Sequence, residues 1–268
     1  MRTRLAPTPS GYLHAGNAVN ALLVAWLARS SPGAQVHLRI DDADSGRARP
    51  EYLEDVFRVY RWLGVEWDLG PQDPDEYRTL PTQAERRDYF RAELEAAVGR
   101  GLPAYACTCS RRDAAGSATG CAGGCREAGA ALTGATTVRV SLPTEMGLPD
   151  PVLWRRDDLP AYHLVSLVSD RDAGVTHVVR GDDLIDSTAL HLHLAPWFAA
   201  ERLRQATWLH HGLLLDADGG KLSKSAGSGS APMSLTDESL EVITVAARNL
   251  AGALSIAPAG PSAPTVDA

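Results

Sequence analysis

Strand-length apolar runs alternate with helix-length amphipathic segments along most of this chain, and the alternation fails in one place. Leu5-Ala6-Pro7 ends a short strand broken by Pro7 and Pro9. A helix follows, with Val19, Leu22, Leu23, Trp26 and Leu27 on one face at i, i+3, i+4, i+7 and i+8. Val36 to Ile40 reads as the next strand. Pro50 opens a second helix whose apolar face is Leu53, Val56, Phe57, Tyr60 and Leu63, and Gly64 ends it. A third helix carries Phe90, Leu94, Ala97 and Val98 and stops near Gly101. Alternating residues return at Thr137 to Leu142. Val175 to Val179 is an apolar strand, Ser187 to Phe198 a helix capped by Ser187, and Leu209 to Leu215 another strand. Thr236 opens a last helix with Leu240, Ile243, Ala247 and Leu250 on one side. This order predicts an α/β fold, a mostly parallel sheet covered on both faces. Such sheets bind ligands beyond the carboxyl ends of their strands.

The failure lies at residues 107 to 134. This stretch is rich in Gly, Ala, Ser and Cys, shows no sustained period, and cannot hold itself together by apolar burial. It also holds all four cysteines: Cys107 and Cys109, then Cys121 and Cys125. Clustering in one short segment is metal-like spacing rather than a disulfide framework. Four thiolates suit one tetrahedral zinc, and zinc would fasten an insertion that lacks a core, coupling its folding to the metal.

The totals exclude some classes. A chain of 268 residues can bury a large core, and a formal net charge of −7 argues against a general nucleic-acid coat. A local basic groove stays possible, with Arg86, Arg87, Arg111, Arg112 and Arg126 as candidate nucleic-acid contacts. No apolar run approaches the ~20 residues of a membrane span, and Met1 to Leu5 has no apolar stretch of signal-peptide length. The expectation is a cytoplasmic protein without a membrane partner, and a monomer. The segment Ala257 to Ala268, rich in Pro, Ala and Ser, reads as disordered.

Two short segments carry phosphate chemistry. Ala6 to Gly11 is a rigid turn that feeds His14 and Gly16 into a helix start, where free N–H groups and a partial positive charge suit phosphate. His14 can donate a hydrogen bond to an α-phosphate as charge builds there, and a small residue at Gly16 lets a nucleotide lie against the backbone. Lys221-Leu222-Ser223-Lys224-Ser225 places two lysines three apart in a loop, suited to clamp a leaving pyrophosphate. Asp216 to Gly220, just before it, superficially resembles the start of a calcium loop. The ligand spacing then fails, and the segment reads as a hairpin turn.

Arg4 to His14, Leu38 to Asp44, Val179 to Leu184 and Lys221 to Ser225 occur in the order and at the approximate spacing of glutamyl-tRNA synthetases, and the chain resembles that family from Arg4 to Ser225. The resemblance implies a Rossmann-like class I aminoacyl-tRNA synthetase catalytic domain with a zinc-binding insertion. Residues 1–100 would be its first half, 101–150 the insertion, 151–235 the second half with the lysine loop, and 236–268 a helix and tail. It implies catalytic roles for His14, Lys221 and Lys224, ATP contacts at His14, Gly16 and Lys224, and magnesium with ATP. Arg4, Thr8, Asp41, Tyr162 and Arg180 would bind the amino acid. Two arginines and a phenol suit a side-chain carboxylate, hence glutamate. Thr8 replaces a more usual Ser and keeps its hydroxyl. Asp41 stands where the family usually has a Glu that meets the α-ammonium. It keeps the charge but is shorter by roughly 1.5 Å.

The spacing from Cys107 to Cys125 resembles the subfamily of glutamyl-queuosine tRNA(Asp) synthetases, in which the third zinc ligand is often a Tyr; here it is Cys121. That subfamily stops after the catalytic domain, and 43 residues follow Ser225. The resemblance therefore implies transfer of activated glutamate to the queuosine base of tRNA(Asp). The alternatives are the same adenylate chemistry with another acceptor, or a non-catalytic synthetase-like module that binds tRNA. Ser225 closes the lysine motif as in ordinary synthetases.

Overall fold

The structure is a computed structural model that describes residues 1–43, 46, 48–114, 117, 119–129, 131–132, 136–214 and 231–258. In chain order the elements are β1 (Arg2–Leu5), α1 (Ala15–Arg29), β2 (Gln35–Leu38), α2 (Pro50–Trp62), α3 (Pro74–Arg78), α4 (Arg87–Gly99), β3 (Ala104–Cys107), α5 (Arg111–Ala114), β4 (Thr137–Val140), β5 (Val152–Trp154), α6 (Tyr162–Asp172), β6 (His177–Gly181), α7 (Ile185–Leu194), β7 (Thr207–His211) and α8 (Asp237–Ala253). Contacts divide the chain into two compact units. The first is Met1–Leu80, Ala173–Ile185 and Gln205–Ala268; the second is Pro81–Asp172 and Asp186–Arg204. This division differs from the segmentation at 100, 150 and 235, which followed the motifs.

The first unit contains the expected parallel pairing. β1 runs parallel to β2, with Leu5 opposite Leu38, and β6 runs parallel to β7, with Arg180 opposite His210. Thr176, just before β6, donates its amide to the Arg2 carbonyl at 2.9 Å. α1 was expected to bury one stripe. It buries residues all round instead, including Ala18, Ala21, Val24 and Ala25, while Leu27 is only half-buried. The cause is α8, which packs Ile243, Thr244, Ala247 and Ala251 inward and joins the same core. Burying one large apolar side chain is worth about 1.5–3 kcal/mol. Leu23, with no exposed surface, is a point where truncation to Ala would cost about 2–5 kcal/mol. Gly70 shows a second constraint. It sits at φ 95°, and a Cβ there would lie 2.1 Å from the Leu38 carbonyl oxygen, so only glycine lets this turn pair with β2.

The second unit departs from the expectation of parallel strands. Its sheet is antiparallel, in the order β3-β4-β5, with a register shift at Val138 and Arg139. The sequence reading anticipated β4 but neither β3 nor β5. β5 completes the sheet that begins in the cysteine segment, so that segment is braced from beyond residue 150. α6 was also missed. Seven successive residues from Leu164 to Asp170 are buried, so no polar face marks it as a helix. Arg171 at its end donates to Glu93 on α4 at 2.7 and 2.9 Å and to the Phe198 carbonyl at 2.8 Å.

Two boundaries shift. α7 starts at Ile185, directly after a 3-10 turn at Asp182–Leu184, so Ser187 lies inside the helix and is not its cap. The strand expected at Leu209 to Leu215 is Thr207–His211. Of the segment Ala257 to Ala268, residues 259–268 lie outside the described residues. Among the described residues no helix is long and apolar enough to cross a membrane.

Candidate active site and metal centre

His14 is the N-cap of α1. Its Nδ1 accepts from the Gly16 amide at 3.1 Å, and its own amide donates to Asn17 Oδ1 at 3.1 Å, forming a reciprocal capping box. With Nδ1 accepting, a neutral His14 ring carries its proton on Nε2. Gly16 has a role that sequence reasoning did not supply. A Cβ there would lie 3.0 Å from His14 Cε1 and 3.1 Å from Nδ1, so the glycine makes room for the capping ring.

The turn before His14 is pinned from α2. Asp55, 3% exposed, accepts from the Leu13 amide at 2.8 Å and from Arg58 Nε at 3.1 Å. Arg58 also donates to the Met233 carbonyl at 3.3 Å. Asp55 lies off the apolar stripe of α2 and reads in sequence as a solvated residue; the Leu13 turn covers it.

Arg4, 6% exposed, stands on β1 opposite His37. Past the ends of β1 and β2 the ladder continues, with the Asp41 amide donating to the Pro7 carbonyl at 2.9 Å. Asp41 is half-buried, and its carboxylate receives Arg39 Nε at 2.6 Å and Arg39 Nη2 at 3.0 Å. The i, i+2 spacing in an extended segment puts both on one side, a signal that was in the sequence. Asp42 is buried and takes the Tyr77 hydroxyl. Thr8 is exposed.

Arg180 on β6 is 4% exposed, with its guanidinium over the Trp208 ring at 4.6 Å from the centroid. The parallel register sets Arg180, Trp208 and His210 on one face of the pair β6–β7. Burial, and then the Arg180 charge, hold the His210 pKa below its ordinary value. Neither Trp208 nor His210 was singled out from sequence, because an aromatic residue in a strand reads as core.

Tyr162 belongs to the second unit. It opens α6, 43% exposed, with its ring edge-on to His163 and tilted against His191. Lys221, Lys224, Ser225 and the Asp216 to Gly220 turn lie outside the described residues. Of the basic candidates, Arg86 lies over the Tyr89 and Phe90 rings, Arg87 pairs with Asp88 and Asp158, and Arg126 pairs with buried Asp150 at 2.6 Å. Arg126 is thus a structural residue of the insertion.

The four cysteines converge. Their Sγ atoms all lie within 4.8 Å of one another, with Cys107–Cys121 at 3.9 Å, Cys109–Cys121 at 3.8 Å and Cys109–Cys125 at 3.6 Å. A tetrahedron with metal–sulfur bonds of about 2.3 Å has sulfur–sulfur edges of about 3.8 Å. A disulfide would need about 2.05 Å. The thiols therefore fit a tetrahedral metal site. Burial pushes the Cys107 thiol up to about 12. The Thr108 amide brings Cys125 down to about 7. Behind the cluster, Asp150 accepts from the Tyr105 hydroxyl at 2.6 Å, from Arg126 Nε at 2.9 Å and from the Leu142 amide at 3.0 Å.

The family model for tRNA synthetases class I (E and Q), catalytic domain, matches residues 1–114 and 128–250. The unmatched gap holds Cys121 and Cys125. The glutamyl-Q tRNA(Asp) synthetase of Rhodobacter capsulatus is 33% identical, covering 84% of this chain and 91% of that protein. That of Pseudomonas aeruginosa is 36% identical, covering 83% and 76%. Glutamate–tRNA ligase 2 of Acidiphilium cryptum is 36% identical, covering 85% and 56%. Among solved structures, a glutamate tRNA ligase from Elizabethkingia meningosepticum superposes with a TM-score of 0.65 at 24% identity, covering 85% of this chain and 52% of that one, and shows the shared fold.

Proposed function

The chain belongs to the class I tRNA synthetases (E and Q) by its catalytic domain, and from that membership we propose that this ligase activates glutamate with ATP and passes it to the queuosine base of tRNA(Asp). The observation that carries the amino-acid choice is the pair of buried guanidinium groups in the first unit, Arg4 and Arg180. A side-chain carboxylate matches a guanidinium fork in charge and geometry. The acceptor is supported by the names of the relatives that this chain resembles over most of their length.

In the first step the substrate α-carboxylate attacks the α-phosphate of ATP. His14 donates from Nε2 to the phosphate, beside the positive end of α1. Arg180 and Arg4 hold the side-chain carboxylate. Asp41 pairs with the α-ammonium through a carboxylate oriented by Arg39. Pyrophosphate leaves as the α-phosphate bond breaks, with Lys221 and Lys224 neutralising it, and magnesium bound with ATP would supply further charge compensation. In the second step a ring hydroxyl of queuosine attacks the carbonyl carbon of the adenylate, an ester forms, the mixed-anhydride bond breaks, AMP leaves, and the hydroxyl proton passes to solvent.

Zinc is the metal assigned to Cys107, Cys109, Cys121 and Cys125. An all-thiolate tetrahedral set suits it, and with four protein ligands its role is structural. Elemental analysis of the purified protein tests this, and a metal-free native protein would overturn it. The function is tested by glutamate-dependent ATP–pyrophosphate exchange without tRNA, followed by transfer of labelled glutamate to tRNA(Asp) with and without queuosine. Exchange without transfer to the queuosine form would point to another acceptor. Absence of exchange would leave a non-catalytic module.

A further inference from the structure

Arg180 is useful to a carboxylate only if its fork is held in one plane. A guanidinium on a three-carbon stem has several rotamers, and strand β6 alone fixes none of them. Trp208 supplies one such constraint. It is half-buried on β7, two residues before His210, which lies opposite Arg180. Its indole lies under the guanidinium at 4.6 Å, within the range of an attractive cation–π contact. Because Arg180 is 4% exposed, water does little to screen that attraction. A guanidinium seated on an aromatic face keeps its N–H donors at its edges, available for a two-point grip. An amide offers one oxygen and an NH2 group, so it does not present an acceptor atom to each prong of the fork.

We propose that Trp208 is a positioning residue that sets acid-over-amide specificity by fixing the plane of the Arg180 fork. The inference rests on the reading of Arg180 as the side-chain ligand and extends it to a residue that does not itself touch substrate.

The test is ATP–pyrophosphate exchange with Trp208→Leu and Trp208→Phe, beside Arg180→Ala. Leu keeps an apolar side chain against the sheet but removes the π face; Phe keeps a face. Loss of a desolvated cation–π contact should raise the KM for glutamate about 10- to 30-fold in Trp208→Leu. The KM for ATP should stay within about twofold. The preference for glutamate over glutamine, as a ratio of kcat/KM values, should fall about 10-fold. Trp208→Phe should recover most of the loss. General damage to the fold lowers the active fraction and leaves both KM values alone, so the split between substrates separates the two causes. A folded Trp208→Leu with unchanged glutamate KM and unchanged discrimination would overturn the inference, as would parallel rises in both KM values. If Arg180→Ala itself keeps a normal glutamate KM, the underlying reading of the pocket fails, and the inference with it.

Discussion

Asp150 should hold the cysteine-bearing insertion together independently of any metal. Its side chain is almost fully buried and serves donors from three places: the Tyr105 hydroxyl on β3, the Leu142 amide after β4, and Arg126, the residue after Cys125. Replacing Asp150 with Ala strands the Tyr105 hydroxyl and the Leu142 amide. Both residues are buried, at 7% and 5% exposure, so neither can turn freely to water. Each orphaned donor costs about 1–3 kcal/mol. Arg126 keeps 31% of its side chain exposed and can resolvate, so its loss adds about 1 kcal/mol or less. These terms add to about 2–7 kcal/mol, and the ~3–5 kcal/mol expected on breaking a buried charged network falls inside that range. The Arg139 bond to the Asp150 carbonyl at 2.7 Å is unaffected, because it uses the backbone.

Urea unfolding followed by far-ultraviolet circular dichroism, on chelated and metal-loaded protein, measures this cost. Asp150→Asn should lose less, about 1–2 kcal/mol, since one oxygen and the side-chain shape remain. Because Arg126 follows Cys125 in the chain, Asp150→Ala should also speed metal release to a chelator. An Asp150→Ala protein within about 1 kcal/mol of wild type would refute the reasoning. It would mean that the metal site and the apolar contacts of Tyr105 suffice.

Gly16→Ala sets two effects against each other. Alanine favours a helix start by up to about 1 kcal/mol, yet its methyl meets the His14 ring, so exchange activity should fall at least 10-fold with thermal stability unchanged or raised. Asp55→Asn weakens the link from the Leu13 turn through Arg58 to the Met233 carbonyl, and should raise the KM for ATP several-fold with the glutamate KM unchanged; equal KM values to wild type would deny that link a role. In metal-free protein Cys125 should be the most readily alkylated thiol, with a midpoint near pH 7. Its folded pKa lies below the unfolded value of about 8.5, so its thiolate contributes stability that is present above pH ~8.5 and lost as pH falls through about 7. Mass-spectrometric mapping across pH checks this, and a faster reaction at Cys107 would contradict it.

What the sequence disclosed follows from where each signal is stored. The strands β1, β2, β6 and β7, and the helices α1, α2 and α8, were legible because their apolar residues recur at strand or helix spacing; which strands pair was not. The cysteine convergence was legible because metal ligands must be near in chain when the segment between them has no core. The supports were not legible. α6 buries seven successive residues, Leu164 to Asp170, polar Ser166, Ser169 and Asp170 among them, so apolar and polar positions do not separate onto two faces. Asp55, Asp150 and Trp208 act through partners 42, 24 and 28 positions away, at Leu13, Arg126 and Arg180, and nothing in their local sequence marks the pairing.

The same distinction runs through the chemistry. Groups proposed to touch substrate sit in short motifs, because a turn or strand end must place several of them at once. Groups that aim those side chains are free to come from any element that packs nearby. His14 shows both cases within three residues. Its motif was readable, but the reason for Gly16 was not, since the ring that a methyl would strike takes up its position only when α1 has formed and His14 caps it. A glycine in such a motif therefore has two claims on it, one from the ligand and one from the neighbouring side chain. Gly16→Ala loses activity under either claim; only a capping ring displaced in the ligand-free protein would show the second to be the stricter.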